Sequence, residues 1–200
     1  MRIGVLALQG AFAEHEEALT GLGVTCVEVR QGRDFGDDLD GIVIPGGEST
    51  VMTKLLHDRA LAEPLRRAVS DGMPVFGTCA GMIMLARKVE ERGSGCLPVL
   101  DVIVRRNAFG RQLGSFRTEG TFLGIGTIPM TFIRAPFVVA AGPDVEVLAT
   151  VEGGAASTAA GDGRIVAVRQ GSVLATAFHP ELTGDVRVHE YFIERLCAAR

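Results

Sequence analysis

This chain of 200 residues has few cysteines, and none of them are close neighbours. Cys26, Cys79, Cys96 and Cys197 are scattered with no Cys-x-x-Cys pair. That spacing argues against a zinc site and against a disulfide framework, and it fits a reducing, cytoplasmic setting. A basic stripe is also missing. Twenty Lys and Arg stand against 24 Asp and Glu, the net charge is -4 and the pI is near 5.6, which speaks against a nucleic-acid partner. No apolar run approaches the length of a membrane span. The start, Met1-Arg2-Ile3-Gly4-Val5, lacks the shape of a signal peptide and enters a strand-like pattern at once. Neither Gly-x-Gly-x-x-Gly nor a lysine-containing P-loop occurs, so a phosphate-binding loop is disfavoured. No internal repeat and no linker interrupts the chain, and 47% hydrophobic residues supply a real core, so residues 1–200 read as one domain.

What is present alternates. Ile3 to Leu8 is a short apolar run suited to a strand buried on both faces. Glu14 to Leu22 has helical spacing, with Gly23 as its C-terminal cap. Thr25 to Val29 and Gly41 to Ile44 are further strands, joined by the polar stretch Asp34 to Asp40. A helix starts near Ser49, placing Val51, Met52, Leu55 and Leu56 on one face; a second runs from Ala60 to Ser70. This rhythm implies a parallel sheet with helices on both faces. The second half differs. Arg105 to Gly126 gives no clear secondary structure. Strand fragments follow at Phe132-Ile133, Val138-Val139 and Val145 to Val151. Arg164 to Arg169 and Ser172 to Phe178 read as a β-hairpin across Gln170-Gly171, and Val186 to Leu196 as an amphipathic helix. Gly153 to Gly163, built of Gly, Ala, Ser, Thr and Asp, reads as a mobile surface loop.

The pattern is organised around Gly77-Thr78-Cys79-Ala80-Gly81, between the apolar run Pro74-Val75-Phe76 and the helix-like run Met82 to Ala86. A cysteine at a sharp strand-to-helix turn has the form of a nucleophile elbow, and the helix N-terminus there favours a thiolate. On its own the motif fits a structural cysteine equally well. His179-Pro180-Glu181, directly after the last strand, adds a second element. Proline keeps the preceding residue extended, so His179 and Glu181 can face one side, the imidazole toward a nucleophile and the carboxylate fixing its tautomer. His15, His57 and His189 fall on helices without such partners and read as structural. A third stretch, Pro45-Gly46-Gly47-Glu48-Ser49, brings backbone amides to a helix start where they can stabilise an oxyanion. The plainer alternative is a strand-to-helix turn with Ser49 as N-cap. Cys79, Gly46-Gly47 and His179 all follow strands, at the end of a parallel sheet where sites form.

With the Cys79, His179 and Glu181 motifs in place, the chain resembles the class I glutamine amidotransferases. Leu8-Gln9-Gly10-Ala11, Pro45-Gly46-Gly47-Glu48-Ser49-Thr50, Arg106-Asn107-x-Phe109-Gly110-Arg111-Gln112, Phe132-Ile133-Arg134-Ala135-Pro136 and Phe178-His179-Pro180-Glu181-Leu182-Thr183 bring it closer to one subfamily, the glutaminase subunits of pyridoxal 5'-phosphate synthase. The motifs run from the first strand to the last helix. One departure is the stretch Gly153 to Gly163, where members of that family have a shorter connection.

The resemblance implies a flavodoxin-like, three-layer α/β fold. It implies hydrolysis of L-glutamine without a cofactor or metal, and delivery of ammonia to a separate (β/α)8-barrel synthase subunit. Cys79 would attack the amide, His179 would shuttle protons and Glu181 would orient His179. Amides of Gly47 and Ala80 would hold the oxyanion, while Gly47, Glu48, Ser49, Arg106, Ile133 and Arg134 would line the glutamine site. Residues near Gln9 and Glu48 are candidates for coupling to the partner. Two other classes compete: a different cysteine-elbow enzyme, and a flavodoxin-like ligand sensor that keeps the elbow for structure. The Arg106 and Arg134 motifs weigh against the first, and the intact Cys, His and Glu set against the second.

Overall fold

The apolar runs do become strands buried on both faces. A computed structural model describes residues 1–36, 38–106, 115–152 and 163–198. In chain order the first half comprises β1 (Arg2–Leu6), α1 (Phe12–Gly21), β2 (Thr25–Val29), β3 (Gly41–Ile44), α2 (Ser49–Asp58), α3 (Ala62–Ser70), β4 (Val75–Thr78) and α4 (Ala80–Leu85). The second half comprises β5 (Ala86–Val89), β6 (Leu100–Arg105), β7 (Ser115–Phe122), β8 (Gly126–Ile133), β9 (Phe137–Ala141), β10 (Glu146–Glu152), β11 (Gly163–Gln170), β12 (Val173–Thr176) and α5 (Arg187–Phe192).

One sheet takes the order β2-β1-β3-β4-β12-β11-β9-β6-β5, with β10 paired to β11. The five strands β2, β1, β3, β4 and β12 are mutually parallel. Beyond β12 the pairing is antiparallel at β11, β9 and β6, and returns to parallel between β6 and β5. The switch follows from connection length. Helix α1 joins β1 to β2, and α2 and α3 join β3 to β4, whereas β11 and β12 are joined by the tight turn at Gly171 and Ser172, as the hairpin reading expected.

Side-chain alternation fixes the helix layers. On β4, Phe76 meets His15 of α1 and His189 and Phe192 of α5. Its neighbour Gly77 faces the other way, and a Cβ there would lie 2.6 Å from Leu85 of α4. Adjacent strand residues point to opposite faces, so α1 and α5 cover one side and α4, packed with α2, covers the other. The expected three-layer α/β sandwich is the observed one.

Several details differ from the sequence expectations. Helix α4 ends at Leu85 and Ala86 already belongs to β5. The unclear stretch Arg105 to Gly126 contains β7, which pairs with β8 as a separate antiparallel ribbon. Helix α5 continues through a π-helical turn, Ile193–Cys197. On α2, Met52 and Leu56 are buried, but Val51 is exposed because it lies one turn edge away from that stripe. Ser49 is not the N-cap. Glu48 takes that place, its carboxylate accepting from the amides of Thr50 at 3.2 Å and Val51 at 2.7 Å. A carboxylate reaching back to a helix start gains both orphan amides and the positive dipole end. Most of the Gly153 to Gly163 stretch lies outside the described residues, as do Asn107 to Gln112 of the arginine motif. Among the described residues no helix is long and apolar enough to cross a membrane.

Candidate active site

The carboxyl ends of β1, β3, β4 and β12, together with the end of β8, enclose a cavity of about 380 Å³. Gln9, Gly47, Glu48, Ser49, Cys79, Arg106, Ile133, Arg134 and His179 all line it. Ala80 and Glu181 sit just behind that surface.

Cys79 occupies the elbow between β4 and α4 with φ +48° and ψ -97°. A non-glycine residue there costs on the order of 1–3 kcal/mol and needs its surroundings to hold it. Two contacts do so. The Cys79 N–H donates to the Thr176 carbonyl on β12 at 2.8 Å. Helix α4 presses against β3 so closely that a Cβ on Gly81 would stand 2.3 Å from the Ile44 carbonyl oxygen. The flanking glycines therefore serve close packing, and the strained dihedral belongs to the cysteine itself. Cys79 Sγ lies 3.9 Å from the Ile133 carbonyl oxygen. Ala80 opens the helix, so its N–H has no intrahelical acceptor.

His179 follows β12, and its backbone N–H donates to Thr131 O of β8 at 2.8 Å. Phe178 and Phe132, the residues just before His179 and Ile133, are buried edge to face at 5.8 Å and clamp the same two strands. The imidazole rests on the backbone of Gly46, where a Cβ would come within 2.3 Å of His179 Cε1. Its Nδ1 is 2.7 Å from Glu181 Oε1, and the Glu181 side chain is fully buried. The expected pairing across proline is therefore present. Burial pulls the imidazole toward its neutral form, but the Cys79 sulfur and then Glu181 outweigh it and raise His179 to about 10. An imidazolium beside the cysteine supplies the counter-charge for a thiolate.

Around this core, the Glu48 N–H donates to Gln9 Oε1 at 3.1 Å, tying the glycine loop to β1. Arg106 reaches Glu48 Oε1 at 3.2 Å. Partial burial disfavours the Glu48 charge, but the Val51 and Thr50 amides and Arg106 hold its carboxyl below the usual range. Arg134 is exposed at the rim, has φ +46°, and forms no ion pair among the described residues. No cluster of His, Cys, Asp and Glu among those residues is arranged to hold a metal ion.

Sequence reasoning missed His15 and His189. Both are fully buried; His15 lies 3.4 Å behind Glu181, and His189 lies behind His15 at 2.9 Å. His15 shares the buried face of α1 with Leu19, one turn on, which marks it as interior; nothing local marks its partners, which come from distant parts of the chain. Gly46 was noted only for its backbone, not as the floor under the imidazole.

Comparison with known proteins places the chain in a family. The pyridoxal 5'-phosphate synthase subunit PdxT of Streptococcus pneumoniae is 52% identical over 197 residues, 97% of this chain and 96% of that protein. A crystal structure of a glutamine amidotransferase is similar with a TM-score of 0.87 and 44% identity, covering 98% of each chain. The glutaminase domain of Trypanosoma brucei CTPS is similar in fold, with a TM-score of 0.62 at 16% identity, covering 100% of this chain and 94% of that one. With a family model matching residues 5–198 and a relative of this identity along nearly its whole length, the chain belongs to the SNO glutamine amidotransferase family.

Proposed function

We propose that this chain is the glutaminase subunit of pyridoxal 5'-phosphate synthase, a single amidotransferase domain that hydrolyses L-glutamine and hands ammonia to a (β/α)8-barrel synthase subunit in the cytoplasm. The observation that carries the reading is the cysteine elbow beside an imidazole whose far nitrogen is 2.7 Å from a buried carboxylate, inside one cavity.

Cys79 is the nucleophile. Its thiolate attacks the side-chain amide carbon, and the oxyanion is received by the amides of Gly47 and Ala80. His179, held as imidazolium, gives its proton to the leaving nitrogen, so ammonia departs and a glutamyl thioester remains. The imidazole, now neutral, takes a proton from water. The resulting hydroxide attacks the thioester, which releases glutamate and returns the thiolate–imidazolium pair. Glu181 keeps His179 in the required tautomer throughout. Arg134 at the rim and Arg106 beside Glu48 match the α-carboxylate of glutamine, a planar anion suited to guanidinium groups. Ser49, Glu48, Gly47 and Ile133 shape the rest of the pocket. Gln9, bonded to the glycine loop, would transmit partner contacts to the oxyanion site.

The test is Cys79→Ala, assayed for glutamate release with the barrel subunit present. Activity should vanish while circular dichroism stays native, because the covalent route is gone. Substantial release from a folded variant would overturn the mechanism.

A further inference from the structure

The histidine pair behind Glu181 is unused by the reaction as described above. His15 Nδ1 is 2.9 Å from His189 Nε2, and His15 Nε2 is 3.1 Å from Thr78 Oγ1 and 3.4 Å from Glu181 Oε2. Both rings are fully buried and meet the edge of Phe76. Glu181 Oε2 and His189 Nδ1 are both buried and have no hydrogen-bond partner among the described residues.

We propose that His15 is a positioning residue for the catalytic triad, a neutral imidazole whose Nε2–H faces Glu181 Oε2 and holds that carboxylate toward His179, with His189 fixing the tautomer. The proposal rests on the triad reading given above, since His15 acts only through Glu181.

The tautomer follows from the partners. A lone pair on Nε2 facing a buried carboxylate oxygen would be repelled, so Nε2 carries the hydrogen. That hydrogen is bonded to Thr78 Oγ1, with Glu181 Oε2 facing it at 3.4 Å and outside hydrogen-bond geometry; Nδ1 is then an acceptor and His189 Nε2–H donates to it. The groups facing His15 are His189 from α5, Thr78 from β4 and Glu181 after β12, with His179 beyond the carboxylate. Burial, reinforced by His189 and His179, keeps His15 neutral, so the contact with Glu181 is not an ion pair. Neutrality suits the task. A charged His15 would compete with His179 for the carboxylate, whereas a neutral N–H leaves the full negative charge available to it. The contact matters most when His179 has given up its proton. At that stage Glu181 is a buried anion without a cationic partner, and the His15 N–H dipole is the group aimed at its second oxygen.

The experiment compares His15→Phe and His15→Gln with Glu181→Gln, each assayed with the barrel subunit. Glutamine can present an amide N–H near the position of Nε2; phenylalanine fills the space without a donor. His15→Phe should lower kcat by about 10- to 100-fold, the cost of leaving a buried carboxylate oxygen with no donor facing it, with KM little changed. His15→Gln should recover most of that loss. The pH profile of Cys79 alkylation by iodoacetamide, read on the Cys79 peptide by mass spectrometry, should move to higher pH in His15→Phe, because a loosened Glu181 stabilises the imidazolium less. If His15→Phe does not fold, His15→Asn, too short to reach the carboxylate, carries the same test. A folded variant without the donor that keeps wild-type kcat and alkylation profile overturns the proposal, as does equal damage from His15→Gln. If Glu181→Gln itself leaves glutaminase activity untouched, the triad reading falls and the role of His15 falls with it.

Discussion

Replacing His189 with glutamine should flatten the acid side of the stability curve. His189 is fully buried, and burial lowers it to about 4, against 6.5 for an exposed histidine. Between those values the unfolded chain binds a proton that the folded chain refuses, so stability falls as pH falls. The loss from this group is about 2 kcal/mol by pH 5 and about 3 kcal/mol at full extent near pH 4. That is a large share of the 5–15 kcal/mol typical of a whole domain. His15 is lowered for the same reason and adds loss in the same direction. His179 is shifted the opposite way. Its stabilisation is complete below 6.5 and fades only as pH rises through about 10, so it is silent in the acid window. Glutamine keeps a donor for His15 Nδ1 but cannot titrate. Urea denaturation followed by circular dichroism, at about pH 7.5 and about pH 5, measures the difference. Wild type should lose about 2 kcal/mol more than the variant, or roughly 4–8 °C in a thermal melt. Equal losses in the two proteins would refute the claim that a buried neutral His189 sets this limit.

Other outcomes follow from the site. Glu181→Gln should be milder than His179→Asn in glutamate release, since glutamine still bonds the imidazole while asparagine cannot move the proton; the reverse order would mean the roles are misassigned. Gly46→Ala should cut kcat about 100-fold, because its methyl group would stand 2.3 Å from His179 Cε1 and displace a ring that is otherwise held in place; wild-type turnover would contradict that packing. The chain alone should be a poor glutaminase that the barrel subunit switches on. The Gly46–Gly47 peptide can rotate with little steric penalty, and losing one oxyanion donor costs about 100- to 1000-fold. Equal glutamate release with and without the partner would make the enzyme constitutive.

Much of the site was legible because its chemistry is local. The apolar run, the glycines and Cys79 are contiguous, and so are His179, Pro180 and Glu181; a strand end orients each group without reference to the rest of the chain. The helix cap misled because Ser49 is the better capping type, yet the neighbouring Glu48 reaches two amides and is anchored by Arg106. Strand β7 was obscured by Gly120 and by its exposure, although Phe116 and Phe122 fall on the alternate positions a strand requires. Its partner is settled by the stacking of Phe116 on Phe132, rings 4.6 Å apart, which no local pattern encodes. The histidines behind Glu181 were unreadable for a stronger reason. His15 and His189 come from the first and last helices, and only the closed sheet brings them together.

The placement of β12 has a consequence for the order in which reactivity arises. Its parallel ladder to β4 joins strands separated by nearly half the chain, and closing so long a loop is slow compared with forming the β1–β2–β3 neighbourhood. Until β12 docks, the Thr176 carbonyl that fixes the Cys79 turn is absent, and so is the imidazole that would activate the sulfur. The nucleophile's strained backbone and its base therefore depend on one and the same strand pairing, so a break anywhere in the β4–β12 ladder removes both together.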